Sequence, residues 1–193
     1  MIRSLYNWTM SLAGHPHAMT ALAVISFIES SIFPIPPDVL IIAMVLATPE
    51  RAWRIAMVAG IASVAGGFAG YGIGYFLYEA LGRDIIGFYG YEQQFESFKG
   101  LYAEWGFWIV AGAGFTPFPY KVITIASGAA DLNLFTFGVA STVSRFARFL
   151  LVAALLWKFG PPMRLYIEKY LNLLTVAFFA LLIGSFLLIK WLA

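Results

Sequence analysis

Five ionisable side chains stand inside long apolar stretches of the chain, where charges are rare. They are Glu29, Asp38, Lys121, Arg145 and Arg148. A charge at membrane depth is costly unless it is neutralised, hydrated or paired, so it usually serves transport or assembly. Acids that bind and release a proton can couple transport to a proton gradient, and basic side chains can hold a phosphate headgroup. We therefore predict a polar site in a membrane-embedded protein.

The two acids differ in how easily local structure explains them. Asp38 follows Pro36 and Pro37, so its carboxylate could simply cap a helix and match the helix dipole. Glu29 lies among apolar neighbours and has no such local role. We predict that both acids serve proton coupling, with ion pairing to a basic residue as the alternative.

The three basic residues need an anion nearby. Lys121 begins a predicted helix, at the end where the helix dipole disfavours a cation. Arg145 and Arg148 are three residues apart, so they share a helix face, near the middle of an apolar span. Either these residues bind an anionic headgroup, or the arginines pair with Glu29 and Asp38 and lock two parts of the fold together.

The composition places this site in a membrane protein. Of 193 residues, 61% are hydrophobic and only 11% are charged, and the mean hydropathy is +0.82. These values lie well outside those of soluble domains. The absence of cysteine excludes disulfides and thiol nucleophiles, and a net charge of +2 does not suggest nucleic acid as a partner.

Other motifs are weaker. The sequence GGFAGYGIG, residues 66–74, predicts close helix packing rather than a nucleotide loop, because it lies inside an apolar span. His15 and His17 are too few to predict a metal site. Ser30 and Ser31 have no evident base beside them, so hydrolase chemistry has little support. We expect no enzyme activity, no metal and no cofactor.

An internal repeat relates the two halves of the chain. The sequence PIPPDVLIIA (34–43) matches PFPYKVITIA (117–126) at five of ten positions. The sequence GIASVAGGFA (60–69) matches GVASTVSRFA (138–147), again at five of ten, and the two blocks have the same order in both halves. Such repeats are frequent in transporters.

Prolines break the first apolar stretch of each repeat. They are Pro34, Pro36 and Pro37 in the first repeat and Pro117 and Pro119 in the second. If each broken stretch is a re-entrant hairpin, each repeat crosses the membrane once and the repeats are inverted; if each stretch crosses fully, the repeats are parallel. We favour hairpins, because an exposed backbone break in lipid is forbidden unless protein or water surrounds it.

The predicted fold is an all-α integral membrane protein forming one domain over residues 1–193. It comprises an interfacial helix (1–17), a first repeat of re-entrant hairpin and transmembrane helix (18–82), an amphipathic connector (83–105), a second such repeat in inverted orientation (106–160) and an extra C-terminal transmembrane helix (161–193). The distribution of basic residues predicts a cytoplasmic N-terminus.

The order of these features resembles the DedA family of bacterial membrane proteins, also called the SNARE-associated or VTT-domain family, and its YqaA-like branch. The resemblance covers residues 18–159: an acid before FPIPPD, the glycine-rich span, GFTPFPYK, and a span bearing arginines. Family members often need the acids that match Glu29 and Asp38. Many carry RFxPxxR in the second hairpin, whereas Gly114 stands here at the first arginine and Lys121 near the second.

The resemblance implies a flippase or scramblase of the bacterial inner membrane. Its partners would be membrane lipids, such as phosphatidylethanolamine or undecaprenyl phosphate, with transport driven by the proton gradient, and a homo-oligomer is compatible with it. Two alternatives stay open on the residues alone: a proton-coupled exporter of small cations, for which the acids would suffice, and a scaffold that transports nothing.

Overall fold

The computed structural model describes residues 17–32, 36–116 and 118–160. The expected interfacial helix before residue 17, the expected C-terminal transmembrane helix, Pro34 and Pro117 lie outside these ranges. Within them, all regular structure is helical, which confirms the all-α prediction for this part of the chain. The helices are α1 (Ala18–Ser31), α2 (Asp38–Ala47), α3 (Ala52–Leu77), α4 (Arg83–Tyr89), α5 (Glu92–Phe115), α6 (Tyr120–Ala129) and α7 (Leu134–Gly160).

Among the described residues, two helical runs are long and apolar enough to cross a membrane. One extends from Pro49 to Tyr89 and contains α3, a π-helical turn at Tyr78–Gly82 and α4; the other is α7. By contrast, α1 and α2 have 14 and 10 residues. Since a crossing needs about 20 residues, neither is long enough to span a bilayer alone.

Helices continue across both bounds of the predicted connector, residues 83–105. The helical run that begins at Pro49 passes residue 82 through its π-helical turn, and α5 passes residue 105 without a break. No proline stands between residues 50 and 116. Gly82 and Gly106, which stand at these two positions, weaken a helix by only about 1 kcal/mol each and do not end it as a proline would. Gly90, by contrast, has a φ of 68° and directly follows the last residue of α4.

The helices α3 and α7 occupy equivalent places in the two repeats and run antiparallel. The rings of Trp53 and Trp157, at the start of α3 and the end of α7, have centroids 6.1 Å apart. The rings of Tyr71 and Phe137, nearer the other ends, lie 5.1 Å apart. The two helices are therefore aligned in opposite directions along much of their length.

The contacts between α3 and α7 are also reciprocal. A Cβ placed on Gly60 would meet the ring of Phe146 at 2.9 Å, and one placed on Gly138 would meet the ring of Phe68 at 3.0 Å. In the aligned repeats, Gly60 corresponds to Gly138 and Phe68 to Phe146. Equivalent residues of the two helices therefore exchange partners across the contact.

Glycines allow α3 to approach its other neighbours closely. A Cβ on Gly66 would collide with the carbonyl oxygen of Phe27 in α1, and one on Gly74 with that of Ile125 in α6. Gly128 of α6 likewise faces the carbonyl of Tyr71. The predicted role of the glycine-rich stretch in helix packing is confirmed. These backbone contacts bring α1 against the middle of α3 and the second half of α6 against the last two turns of α3.

Candidate functional site

The five ionisable residues singled out in the sequence come together where four helices meet. Glu29 lies in the last turn of α1, Asp38 is the first residue of α2, Lys121 is the second residue of α6, and Arg145 and Arg148 lie near the middle of α7. The acids therefore come from the first repeat and the basic residues from the second.

Glu29 and Arg145 form the innermost ion pair. The Nη2 of Arg145 donates to Oε2 of Glu29 at 2.8 Å, with the arginine side chain 3% exposed and the glutamate side chain 15% exposed. The guanidinium also lies 4.7 Å from the ring centroids of Tyr120 and Phe149. Aromatic faces attract a cation, so these rings and the carboxylate share the task of compensating its burial.

Two serines extend this pair into a hydrogen-bonded cluster. The Nε of Arg145 donates to Oγ of Ser63 at 2.6 Å, and the Oγ atoms of Ser63 and Ser30 lie 2.7 Å apart. Ser30 in turn donates to Oε2 of Glu29 at 3.0 Å. Both serines are fully buried. The carboxylate thus accepts from an arginine and from a hydroxyl at the same oxygen.

Arg148 forms the second ion pair, nearer the surface. Its Nη2 lies 3.0 Å from Oδ2 of Asp38, and its Nη1 donates to the carbonyl of Thr116 at the C-terminal end of α5. Asp38 stands in the first turn of α2, where the helix dipole favours a carboxylate, and among the described residues its carboxylate accepts a hydrogen bond from Arg148. Its main partner is therefore an arginine of the other repeat.

Lys121 has a partner that the sequence did not suggest. Its Nζ donates to the carbonyl of Ile32, directly after α1, at 3.2 Å. Helix C-termini present unpaired carbonyls and a negative dipole end, so a cation there is stabilising. Among the residues described, Lys121 has no ion pair with an acid. The expected anion near Lys121 is thus, in part, the end of a neighbouring helix.

Several uncharged residues of the site were not predicted to belong to it. Ser63 and its equivalent Ser141 are both buried, and Ser141 accepts a hydrogen bond from the hydroxyl of Tyr120. Thr124 donates to the carbonyl of Ser30 at 3.1 Å, which ties α6 to α1. The signal available in the sequence was the repeat itself, because it places a serine at the same position of both apolar spans.

The site is built from ion pairs and hydrogen bonds. Across residues 17–32, 36–116 and 118–160, no three His, Cys, Asp or Glu side chains come close enough together to hold a metal ion. Both arginines already contact carboxylates, and the serines donate to or accept from charged partners. The arginines of the cluster thus bind anionic oxygens.

Two bacterial proteins are similar to this chain. One, from Haemophilus influenzae, is described as an uncharacterised protein and is 40% identical over 169 residues, which cover 86% of this chain and 88% of that protein. The other, from Histophilus somni, is described as an uncharacterised homologue and is 41% identical over 169 residues, with the same coverage. No protein-family profile matches the chain. No solved structure matches it either.

Proposed function

We propose that this chain, which belongs to the same protein family as its Haemophilus influenzae and Histophilus somni relatives, moves a lipid with a phosphate-bearing headgroup across the bilayer. The proposal is drawn from the residues and contacts of the site. The protein would act as a DedA-like flippase or scramblase of the bacterial inner membrane. Its N-terminus would be cytoplasmic, and its partners would be membrane lipids.

The antiparallel course of α3 and α7 supports an inverted repeat. Equivalent helices of parallel repeats would run in the same direction, whereas equivalent helices of inverted repeats run in opposite directions. With α3 and α7 as crossings, the short helices α1 and α2 would form one re-entrant hairpin, and the end of α5 with α6 would form the other. Such broken helices are tolerated in a membrane when protein or a polar cavity surrounds them.

The observation that carries the proposal is the meeting of acids from one repeat with bases from the other at broken helix ends. The Glu29–Arg145 and Asp38–Arg148 pairs lie beside the last turns of α1 and α5 and the first turns of α2 and α6. A phosphate offers the same kind of oxygen as a carboxylate and binds arginine in the same geometry. A lipid headgroup can therefore replace a carboxylate on an arginine.

The proposed mechanism follows from that competition. Protonation of Glu29 removes its negative charge and weakens its bond to Arg145, which leaves the guanidinium available to a phosphate oxygen. Lys121, with no acid paired to it among the described residues, supplies a further positive charge at the same helix ends. Loss of the proton restores the ion pair and displaces the headgroup. Transport is then coupled to the proton gradient.

Two other functions remain candidates because particular contacts favour them. The completeness of both ion pairs favours a scaffold, since paired charges can lock two halves together without transporting anything. A proton-coupled exporter of small cations would use the same acids, but both carboxylates already contact arginines. An exporter would have to break those contacts before a cation could bind.

Reconstitution in vesicles separates these functions. Purified protein would be placed in phosphatidylethanolamine and phosphatidylglycerol vesicles carrying a fluorescent phosphatidylethanolamine, and lipid movement would be followed by quenching with an impermeant reductant. We expect faster equilibration than in protein-free vesicles, and slower equilibration with Arg145→Ala. Proton movement on addition of a small organic cation, without lipid movement, would favour the exporter. The absence of both lipid movement and proton movement would favour the scaffold.

A further inference from the structure

Glu29, Ser30, Ser63 and Arg145 form a closed ring of hydrogen bonds. Arg145 uses Nη2 for Glu29 and Nε for Ser63, while Ser30 connects Ser63 to the same oxygen, Oε2, of Glu29. The four donor–acceptor distances lie between 2.6 and 3.0 Å. The ring joins α1, α3 and α7 at one buried point.

The direction of every bond in this ring is fixed while Glu29 is ionised. A guanidinium can only donate and a carboxylate can only accept. The single proton of Ser30 goes to Glu29, so the hydroxyl of Ser63 must donate to Ser30 while it accepts from Arg145. Each hydroxyl therefore donates one bond and accepts one, and hydrogen bonds arranged head to tail strengthen one another.

Ser63 has a further effect on Arg145. Because Ser63 holds Nε and Glu29 holds Nη2, the guanidinium has a second anchor that does not depend on the carboxylate. If the bond between Glu29 and Arg145 breaks, Nε still donates to Ser63, and the guanidinium keeps its orientation between the rings of Tyr120 and Phe149. An anion site whose donors are held in place before binding loses less entropy on binding.

We propose that Ser30 and Ser63 are positioning residues that preorganise Arg145 for an anionic headgroup oxygen. Ser63 fixes the plane of the guanidinium, and Ser30 fixes Ser63 and the carboxylate that occupies the site before lipid binds. The orienting effect is a property of the ring alone, whereas its use in transport rests on the proposed lipid function. The two parts are tested by separate measurements.

The chain supplies a matched control in Ser26. This residue lies one turn before Ser30 on the same helix and is equally buried, but its hydroxyl has no hydrogen-bond partner among the described residues. The substitution Ser26→Ala thus removes a buried hydroxyl from α1 without touching the ring. Other charged and titratable groups around the ring, namely Asp38 on α2, Tyr120 and Lys121 on α6 and Arg148 on α7, are left unchanged.

The first measurement is hydrogen exchange of the Nε–H of Arg145, by NMR of ¹⁵N-arginine protein in nanodiscs of phosphatidylethanolamine and phosphatidylglycerol. The Nε–H resonance of Arg145 is identified as the one that is missing in Arg145→Lys. We expect Ser63→Ala to accelerate exchange about tenfold, since a charge-assisted bond is lost, and Ser30→Ala to accelerate it about threefold through the ring. Ser26→Ala should leave it unchanged, and Ser63→Thr, which keeps the hydroxyl, should preserve protection.

Two outcomes would overturn the orienting role: exchange in Ser63→Ala as slow as in Ser26→Ala, or exchange in Ser63→Thr as fast as in Ser63→Ala. If Ser30→Ala does not fold, the exchange rates of the Ser63 variants still test the orienting role. The second measurement is lipid equilibration in vesicles, where Ser63→Ala should be slower than Ser26→Ala. If the wild type moves no lipid while the exchange pattern holds, the lipid function fails and the orienting role stands.

Discussion

The Nη2 of Arg148 lies 3.0 Å from Oδ2 of Asp38, so a side chain from the middle of α7 reaches the first residue of α2. The same guanidinium donates to the carbonyl of Thr116, after the last turn of α5. Lys121 makes a comparable contact with the carbonyl of Ile32, after α1. At the C-terminal ends of α1 and α5, a basic side chain from another helix thus donates to a carbonyl that lacks a partner within its own helix.

Arg148 should matter for lipid movement beyond its contribution to folding. Arg148→Ala removes the ion pair with Asp38 and the bonds to α5, and we expect lipid equilibration in vesicles to fall at least about tenfold, since a charge-assisted contact to phosphate is lost. Arg148→Lys keeps the charge but not the forked geometry and should be intermediate. Undiminished lipid movement in folded Arg148→Ala protein would count against headgroup binding at this residue.

Glu29 distinguishes coupling from simple locking. Glu29→Gln keeps size and hydrogen bonding but fixes a neutral side chain, so transport should lose its dependence on an imposed proton gradient. Because Arg145 is left buried without its counter-ion, the free energy of unfolding should also fall by about 3–5 kcal/mol. Adding Arg145→Met should recover part of that loss. Gradient-dependent transport that survives in Glu29→Gln would exclude the coupling role.

Replacing Lys121 should affect lipid movement more than stability, in contrast to replacing Glu29. It bonds a helix-end carbonyl and has no acid as an ion-pair partner in the described ranges, so Lys121→Gln should cost only about 0.3–1 kcal/mol of stability. Lipid movement should nevertheless slow, because a positive charge is removed from the site. Thermal unfolding and lipid equilibration, measured on the same preparation, test this difference. A large loss of stability with normal transport would make Lys121 a structural residue.

Glycine packing can be tested within a single helix. A Cβ on Gly74 would collide with the carbonyl of Ile125, whereas one on Gly72, two residues earlier, would meet nothing within 4 Å. We expect Gly74→Ala to destabilise the protein by about 1–3 kcal/mol through overpacking and Gly72→Ala to stabilise it by about 0.5–1 kcal/mol. Thermal unfolding of the two variants checks the prediction, and equal melting temperatures would contradict it.

The orientation of the repeats can be tested by labelling, since the chain has no cysteine. Single cysteines at Arg51, Lys99 and Asp131 would be exposed to an impermeant thiol reagent from each side of the membrane. Inverted repeats predict that position 51 is labelled from one side and positions 99 and 131 from the other. Labelling of positions 51 and 99 from the same side would exclude the inverted topology.

The five ionisable residues that the structure brings together could be identified from the sequence, because each ionisable residue in an apolar span needs a partner and few partners exist. It left open which arginine meets which acid; the structure assigns Arg145 to Glu29 and Arg148 to Asp38. Helix ends and buried hydroxyls were not predicted. A serine in an apolar helix can bond its own backbone, as Ser31 does to Phe27, so its type alone does not reveal a tertiary partner.

Gly67 and Arg145 hold equivalent positions in the repeats, and their difference gives the site a polarity that two identical halves could not have. If the two halves were identical and related by a two-fold axis, positions 67 and 145 would both be arginine or both be glycine. Here the ring of Tyr120 fills the space beside Gly67, and its hydroxyl bonds Ser141 as Arg145 bonds Ser63. A neutral phenol thus replaces a second guanidinium. One half of the chain has become the acidic lining of the site and the other its basic lining.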